Sequence, residues 1–263
     1  MRARALLGSL VLALAVLVTL PEQPAHAAAA ACPQVAAHRG ETFERTENTV
    51  PAIRYGYGRG AETVEIDIRW TRNGKAMALH DATLDRTTNG TGLIAERTSS
   101  YVQSLRTPDG RRVPYLTSVL REARDVGRGV MLELKPELTS ANADLVVSRI
   151  REYGLVGQAS VASFRERSLR MIEGRAPRIR TVHFDGSGQW GEAATGGWDA
   201  YGVVTTAPEP TAEQVSWAHA RGIEVVTSGN ARSEWELFAG TDVDEVITDF
   251  TADYVSWRTA FCA

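Results

Sequence analysis

Thr63-Val64-Glu65-Ile66-Asp67-Ile68 sets two carboxylates into an otherwise apolar run. Its β-branched content reads as a strand. Residues two apart on a strand share a face, so Glu65 and Asp67 point one way and Ile66 the other. Similar short runs occur at 35–38, 130–134, 160–163, 179–184, 201–204, 223–227 and 245–248. Helical patterns fall between most of them, at 48–58, 116–126, 141–153, 166–173, 211–221, 233–238 and 252–261. Strands alternating with helices predict an α/β chain with a parallel sheet. Eight such units in one domain-sized chain predict a (β/α)₈ TIM barrel.

The rhythm breaks twice. Thr71-Arg72-Asn73-Gly74-Lys75 carries an Asn-Gly hairpin signal, and a further strand at 76–80 follows without a helix. With the polar stretch 81–114 this forms a small insertion, about 69–114, between the second strand and the second helix. The Gly-rich stretch 185–199 stands where a fifth helix is due. It contains Gly186-Ser187-Gly188-Gln189-Trp190-Gly191, a nominal dinucleotide fingerprint. Gly196-Gly197 interrupts the helix such a site needs, so a loop at the barrel mouth is expected instead.

In a parallel barrel the C-terminal strand ends converge, and catalysis is found there. The first strand ends in His38-Arg39-Gly40, the second holds Glu65 and Asp67, the hairpin strand ends in His80-Asp81, and the third ends in Glu133-Leu134-Lys135-Pro136. Inward carboxylates left unpaired would cost several kcal/mol each. A hard divalent cation held by Glu65, Asp67 and Glu133 offsets that, and oxygen-only ligands favour Ca²⁺ or Mg²⁺ over zinc. The plainer alternative is an ion-pair network in which Lys135, Arg39 and Arg69 neutralise the carboxylates. That network gives no reason for two histidines on the same rim. His38 and His80 suit general acid and base, and Arg39 and Lys135 suit phosphate oxygens.

The ordered run His38-Arg39-Gly40, Glu47-Asn48-Thr49, Glu65-Ile66-Asp67, His80 through Gly92 and Glu133 through Pro136 resembles the glycerophosphodiester phosphodiesterase family. The resemblance extends through Ala162-Ser163-Phe164 and His219-Ala220-Arg221-Gly222 to Ile247-Thr248-Asp249. It implies a barrel with an insertion after the second strand. It also implies His38 and His80 as the acid/base pair, Glu65, Asp67 and Glu133 as ligands for Ca²⁺ or Mg²⁺, and Arg39 and Lys135 on the phosphate. The substrate class implied is a glycerophosphodiester. Attack by the glycerol 2-hydroxyl would displace an alcohol, and water would then open the cyclic phosphate to glycerol 3-phosphate.

Asn48 is expected to cap the first helix. Glu47 and Asp81 are expected just behind the reacting groups, Glu47 orienting a His or a metal-bound water, or else lying outward at the helix start. The chain departs from the family where a Trp often precedes Thr-x-Asn: Thr227-Ser228-Gly229-Asn230 stands there, and Trp190 or Trp198 either supplies a replacement wall or has a surface role. His183 and His219 read as structural, and Lys75 as solvated.

The N-terminus supplies location. Met1-Arg2-Ala3-Arg4, an apolar run from Leu6 to Leu20 and Ala25-His26-Ala27 read as a signal peptide over 1–27, leaving a barrel domain at 28–263 and a secreted protein. The apolar run is short for a membrane span, so stable membrane insertion is not expected. Its removal takes Arg2, Arg4 and Glu22, moving the net charge from −3 to −4. That balance excludes a basic nucleic-acid-binding surface. Cys32 and Cys262, the only cysteines, are expected to pair as a disulfide in an oxidising compartment. Two other functions fit the same barrel: a phospholipase C or D acting on intact lipid, and a non-catalytic binding protein. The first would need an apolar docking loop, for which 185–199 is the candidate. The second would be expected to lack a His or carboxylate, and none is missing. The oligomeric state stays open.

Overall fold

The computed structural model describes residues 32–191, 196–204 and 208–262. The expected signal peptide lies outside the described residues. Eight parallel strands close a barrel: β1 (Gln34–Ala37), β2 (Thr63–Trp70), β4 (Gly129–Leu134), β5 (Ala159–Ser163), β6 (Arg180–Asp185), β7 (Ala200–Val203), β8 (Glu224–Ser228) and β9 (Glu245–Thr248). Closure comes from β1, which pairs with β9 on one side and β2 on the other. The expected (β/α)₈ barrel is the observed fold.

Among the described residues the helices are α1 (Val50–Gly58), α2 (Ser99–Ser104), α3 (Leu116–Val126), α4 (Ser140–Glu152), α5 (Glu166–Glu173), α6 (Ala212–His219), α7 (Arg232–Thr241) and α8 (Thr251–Phe261). All but α2 pack outside the barrel on the outward strand faces, where Val64, Ile66 and Ile68 join Val130, Leu132 and Leu134 in the main core. The inward faces carry a separate, small-residue core that includes Ala36, Met131, Ala162, Val182, Ala200 and Val226. Strand alternation thus separates the two cores, and it aims Glu65, Asp67 and Glu133 inward.

The Asn-Gly turn does reverse the chain. Gly74 has φ +71°, and β3 (Ala76–Ala78) runs antiparallel to β2 with Trp70 opposite Ala76. The strand is shorter than expected, so His80 lies beyond its end. The stretch 81–114 is more structured than its polarity suggested. Leu79, Leu84, Ile94, Val102, Leu105 and Val113 bury a small core of their own with Met77, and α2 lies within it. The segment 186–191 contains no helix, as the loop reading expected.

The two ends of the described residues meet beneath the barrel. Cys32 and Cys262 form a disulfide with Cα atoms 6.1 Å apart. Beside it Tyr254 donates its hydroxyl to the Pro33 carbonyl at 2.9 Å, and Arg258 pairs with Glu62 at 2.7 Å.

Candidate active site

A cavity of about 330 Å³ opens at the C-terminal strand ends. His38, Arg39, Glu65, His80, Glu133 and Lys135 all line it, so four chain segments converge there as expected. The register explains the acidic group. Asp67 lies directly opposite Glu133 across β2 and β4, and Glu65 sits one inward position below. One carboxylate oxygen from each of Glu65, Asp67 and Glu133 lies within 4.8 Å of the others, and all three residues are buried.

The surroundings supply some positive charge. Lys135 Nζ stands 3.0 Å from Asp67 Oδ1 and 2.8 Å from Glu133 Oε1, and Arg39 Nε stands 3.4 Å from Asp67 Oδ2. Fully ionised, the three carboxylates would outnumber these two cations. Arg69 makes no direct ion pair with the carboxylates, and its Nε donates to the His80 carbonyl at 2.7 Å, but its charge is felt by Asp67 and Glu133. Glu65 accepts the Arg39 backbone N–H at Oε2, 2.9 Å, while its buried Oε1 has no hydrogen-bond donor. Burial, then repulsion from Asp67 and Glu133, pushes the Glu65 carboxyl well above its usual range. Burial also raises Glu133, with Asp67 adding to it. At Asp67 the burial penalty is outweighed by Lys135 and Arg39, and the carboxyl is held low. An orphaned buried oxygen within an all-oxygen donor set fits a hard divalent cation.

The loop after β1 is shaped to reach this group. His38–Gly40 forms a 3₁₀ turn in which Arg39 takes φ +51°. Gly40 follows at φ +90°, and a Cβ there would fall 2.8 Å from the Ile53 nitrogen, so no side chain fits. Asn48 is also left-handed, at φ +57°. Non-glycine residues with such backbones gather at functional sites.

Each histidine is backed by a carboxylate. His38 Nδ1 lies 2.6 Å from Asp249 Oδ1, and His80 Nδ1 lies 2.7 Å from Asp81 Oδ1. Both acids are held in the ionised form. Arg86 lowers Asp81. At Asp249 burial opposes ionisation, but His38, Thr42 and Asn230 bring the carboxyl down to about 2. Ionised partners accept from Nδ1–H, which leaves Nε2 of each ring to exchange protons. Burial lowers the His80 imidazole below its ordinary value and favours its neutral form.

Two expectations are corrected. Asn48 does not cap α1; Thr49 does, with its hydroxyl accepting from Ala52 N. Asn48 instead turns inward to Asp67. Glu47 does sit just behind a reacting group, but that group is Arg39 rather than a histidine, and Glu47 binds Arg86 as well. Asp81 does sit behind His80. Neither tryptophan walls the cavity: Trp198 is buried in the core under the Arg170 guanidinium, 3.8 Å above its ring, and Trp190 packs on Tyr201. Phe164 and Phe184 form the aromatic wall, edge to face at 5.6 Å. Phe164 had appeared only within a matched motif, with no role attached, and Asp249 likewise. Elsewhere His183 is buried between Trp198 and Tyr201, His219 bonds Asp244 at 2.8 Å, and Lys75 is exposed.

Residues 38–253 match the Glycerophosphoryl diester phosphodiesterase family. A Glycerophosphodiester phosphodiesterase of Caldanaerobacter subterraneus subsp. tengcongensis is 30% identical over 155 residues, covering 56% of this chain and 64% of that protein. The chain thus spans somewhat less than two thirds of that relative. Among solved structures, a glycerophosphodiester phosphodiesterase from Agrobacterium tumefaciens str. C58 superposes with TM-score 0.73 at 24% identity, covering 85% of this chain and 99% of that one. A phosphodiesterase from Oleispira antarctica, solved in complex with the product sn-glycerol-3-phosphate, gives 0.78 at 23%, covering 87% and 97%. The solved structures share the barrel fold. The chain belongs to the Glycerophosphoryl diester phosphodiesterase family.

Proposed function

We propose that this member of the glycerophosphoryl diester phosphodiesterase family hydrolyses glycerophosphodiesters to glycerol 3-phosphate and an alcohol, outside the cell, with Ca²⁺ or Mg²⁺ as cofactor. The observation that carries the reading is the meeting of three buried carboxylates with two carboxylate-backed histidines on one cavity. The product named for the Oleispira antarctica structure supports the substrate class.

Glu65, Asp67 and Glu133 would hold the cation. Bound there, a divalent ion supplies Lewis-acid stabilisation of charge on phosphoryl oxygens. Arg39 and Lys135 line the same cavity and bind phosphate oxygens, the first as a planar fork and the second as a compact charge. In the first step one histidine takes the proton of the glycerol 2-hydroxyl as its oxygen attacks phosphorus. The other gives a proton to the departing alkoxide, and a cyclic phosphate remains. In the second step the roles reverse: water loses a proton to the second histidine while the ring oxygen regains one from the first. Both imidazoles return to their starting states. Asp249 and Asp81 hold each ring in the tautomer that keeps Nε2 available.

Secretion is supported by the N-terminal pattern and by the disulfide. Among the described residues no helix is long and apolar enough to cross a membrane. Phosphorus NMR of a reaction on glycerophosphocholine tests the function: a glycerol 3-phosphate signal is expected. Its absence, with lipid vesicles cleaved instead, transfers the assignment to a phospholipase.

A further inference from the structure

The run Asp85-Arg86-Thr87-Thr88-Asn89-Gly90-Thr91-Gly92 has no part in the chemistry described above. Much of it builds a loop on the insertion. Asp85 Oδ2 accepts from Gly92 N at 2.9 Å, Thr88 donates its hydroxyl to the Leu84 carbonyl at 2.7 Å, and Asn89 exchanges two bonds with the Arg106 backbone. Gly90 lies flat on Leu105, where a Cβ would fall 2.3 Å from a methyl carbon.

Arg86 reaches out of this loop to two carboxylates. Its Nε donates to Asp81 Oδ2 at 2.6 Å, and Nη2 to Asp81 Oδ1 at 3.1 Å. Its Nη1 donates to Glu47 Oε2 at 2.7 Å, and Nη2 to Glu47 Oε1 at 2.8 Å. Both carboxylates continue inward. Asp81 Oδ1 receives His80 Nδ1, and Glu47 Oε1 receives Arg39 Nη1 at 3.1 Å. The result is one path, Arg39–Glu47–Arg86–Asp81–His80, spanning the loop after β1 and the end of the hairpin. The other histidine is anchored differently. Besides His38, the Asp249 carboxylate is held by the Thr42 hydroxyl and by Asn230 Nδ2 at 2.8 Å, both neutral donors.

We propose that Arg86 is a positioning residue that locks Asp81 onto His80 and, through Glu47, aligns Arg39, so that the insertion sets the geometry of a proton-handling group and a phosphate-binding group together. The inference rests on the roles proposed above for His80 and Arg39. A planar five-donor fork can satisfy two carboxylates in parallel; a lysine ammonium cannot. Without the guanidinium, Asp81 and Glu47 lose the cation they share and keep only His80 and Arg39, the Asp81 carboxylate loses its anchor, and the His80 ring loses its fixed tautomer.

The test uses Arg86→Ala, Arg86→Lys and, should the alanine variant fail to fold, Arg86→Gln. The first readout is nitrogen NMR of the His80 imidazole in the metal-free protein, assigned through His80→Ala. The wild type is expected to show a single tautomer protonated at Nδ1, and the variants a mixture. The second readout is turnover of glycerophosphocholine. Loss of alignment is expected to lower kcat by about tenfold to a hundredfold. Arg86→Lys should recover little of it. Guanidinium ion at millimolar concentration should restore part of the Arg86→Ala activity, since the site of Arg86 is half exposed. A wild-type tautomer in the variants overturns the proposal, as does turnover within twofold of wild type. If the wild type itself cleaves no glycerophosphodiester, the functional reading fails, while the NMR readout still decides the role of Arg86.

Discussion

Asn48 grips Asp67 at two points. Its Nδ2 donates to Asp67 Oδ2 at 2.7 Å, and its Oδ1 accepts the Asp67 backbone N–H at 3.0 Å. The left-handed backbone at Asn48 turns the side chain off the helix start and into the barrel mouth. Asn230 repeats the device on Asp249, with Nδ2 to Oδ2 at 2.8 Å and the Asp249 N–H to Oδ1 at 2.7 Å.

The Asn48 clamp fixes the direction of a carboxylate assigned to the cation. Asn48→Ala is therefore expected to weaken Ca²⁺ or Mg²⁺ binding by about tenfold to a hundredfold. Calorimetric titration checks it. Unchanged affinity would remove Asn48 from the account.

Asp249 is expected to matter to both catalysis and acid stability. Asp249→Asn leaves His38 without an ionised partner, and kcat is expected to fall on the order of 100-fold or more. For stability, the carboxyl is held at about 2 in the fold, below the ordinary aspartate value of 3.8. A depressed carboxylate stabilises the fold above its unfolded value and loses that contribution as pH falls toward its folded value. The contribution is roughly 2 kcal/mol at most. Urea unfolding of wild type and Asp249→Asn should differ most above pH 4 and converge as pH drops to 2. A constant difference would contradict the assignment.

At the opposite end of the barrel, Arg180 pairs with Glu224 at 2.5 Å and with buried Glu245 at 3.3 Å. Arg180→Ala strands Glu245 in the interior and is expected to cost about 3 kcal/mol. Because the pair lies away from the cavity, kcat should be unchanged in the folded variant. Denaturant unfolding and a steady-state assay separate the two effects, and a loss of kcat without loss of stability would refute this.

The Cys32–Cys262 disulfide closes a loop over a separation of 230 residues. Its removal by paired serine substitutions is expected to cost roughly 2–5 kcal/mol, by relaxing the unfolded chain more than the folded one. Thermal melts with and without reductant check it. Identical melting of wild type in both conditions would contradict it.

How legible each residue was depended on how local its signal is. Glu65 and Asp67 stood out because charged groups in an inward strand position conflict with a barrel core, and the conflict is visible in six residues. Asn48 was misread because Asn before a helix is the stronger capping signal, although Thr49 beside it is also able to cap. The turn that swings Asn48 onto β2 depends on its bonds to Arg39 in the loop after β1 and to Asp67 on the neighbouring strand. Asp249 is 211 residues from His38, and closure of β9 on β1 brings them together. Its position at the end of the last barrel strand was the available clue. α2 escaped notice because its buried residues are sparse among polar ones, and they pack against the insertion rather than the main core.

The central claim is metal-assisted acid–base cleavage of a glycerophosphodiester. The most direct measurement is glycerol 3-phosphate release from glycerophosphocholine by wild type and His38→Ala, each with Ca²⁺, with Mg²⁺ and with chelator. The account predicts turnover by wild type with at least one cation, loss on chelation that is reversed by adding the cation back, and loss in His38→Ala with any addition. Turnover by the folded wild type that survives chelation, or full activity in His38→Ala, would contradict it.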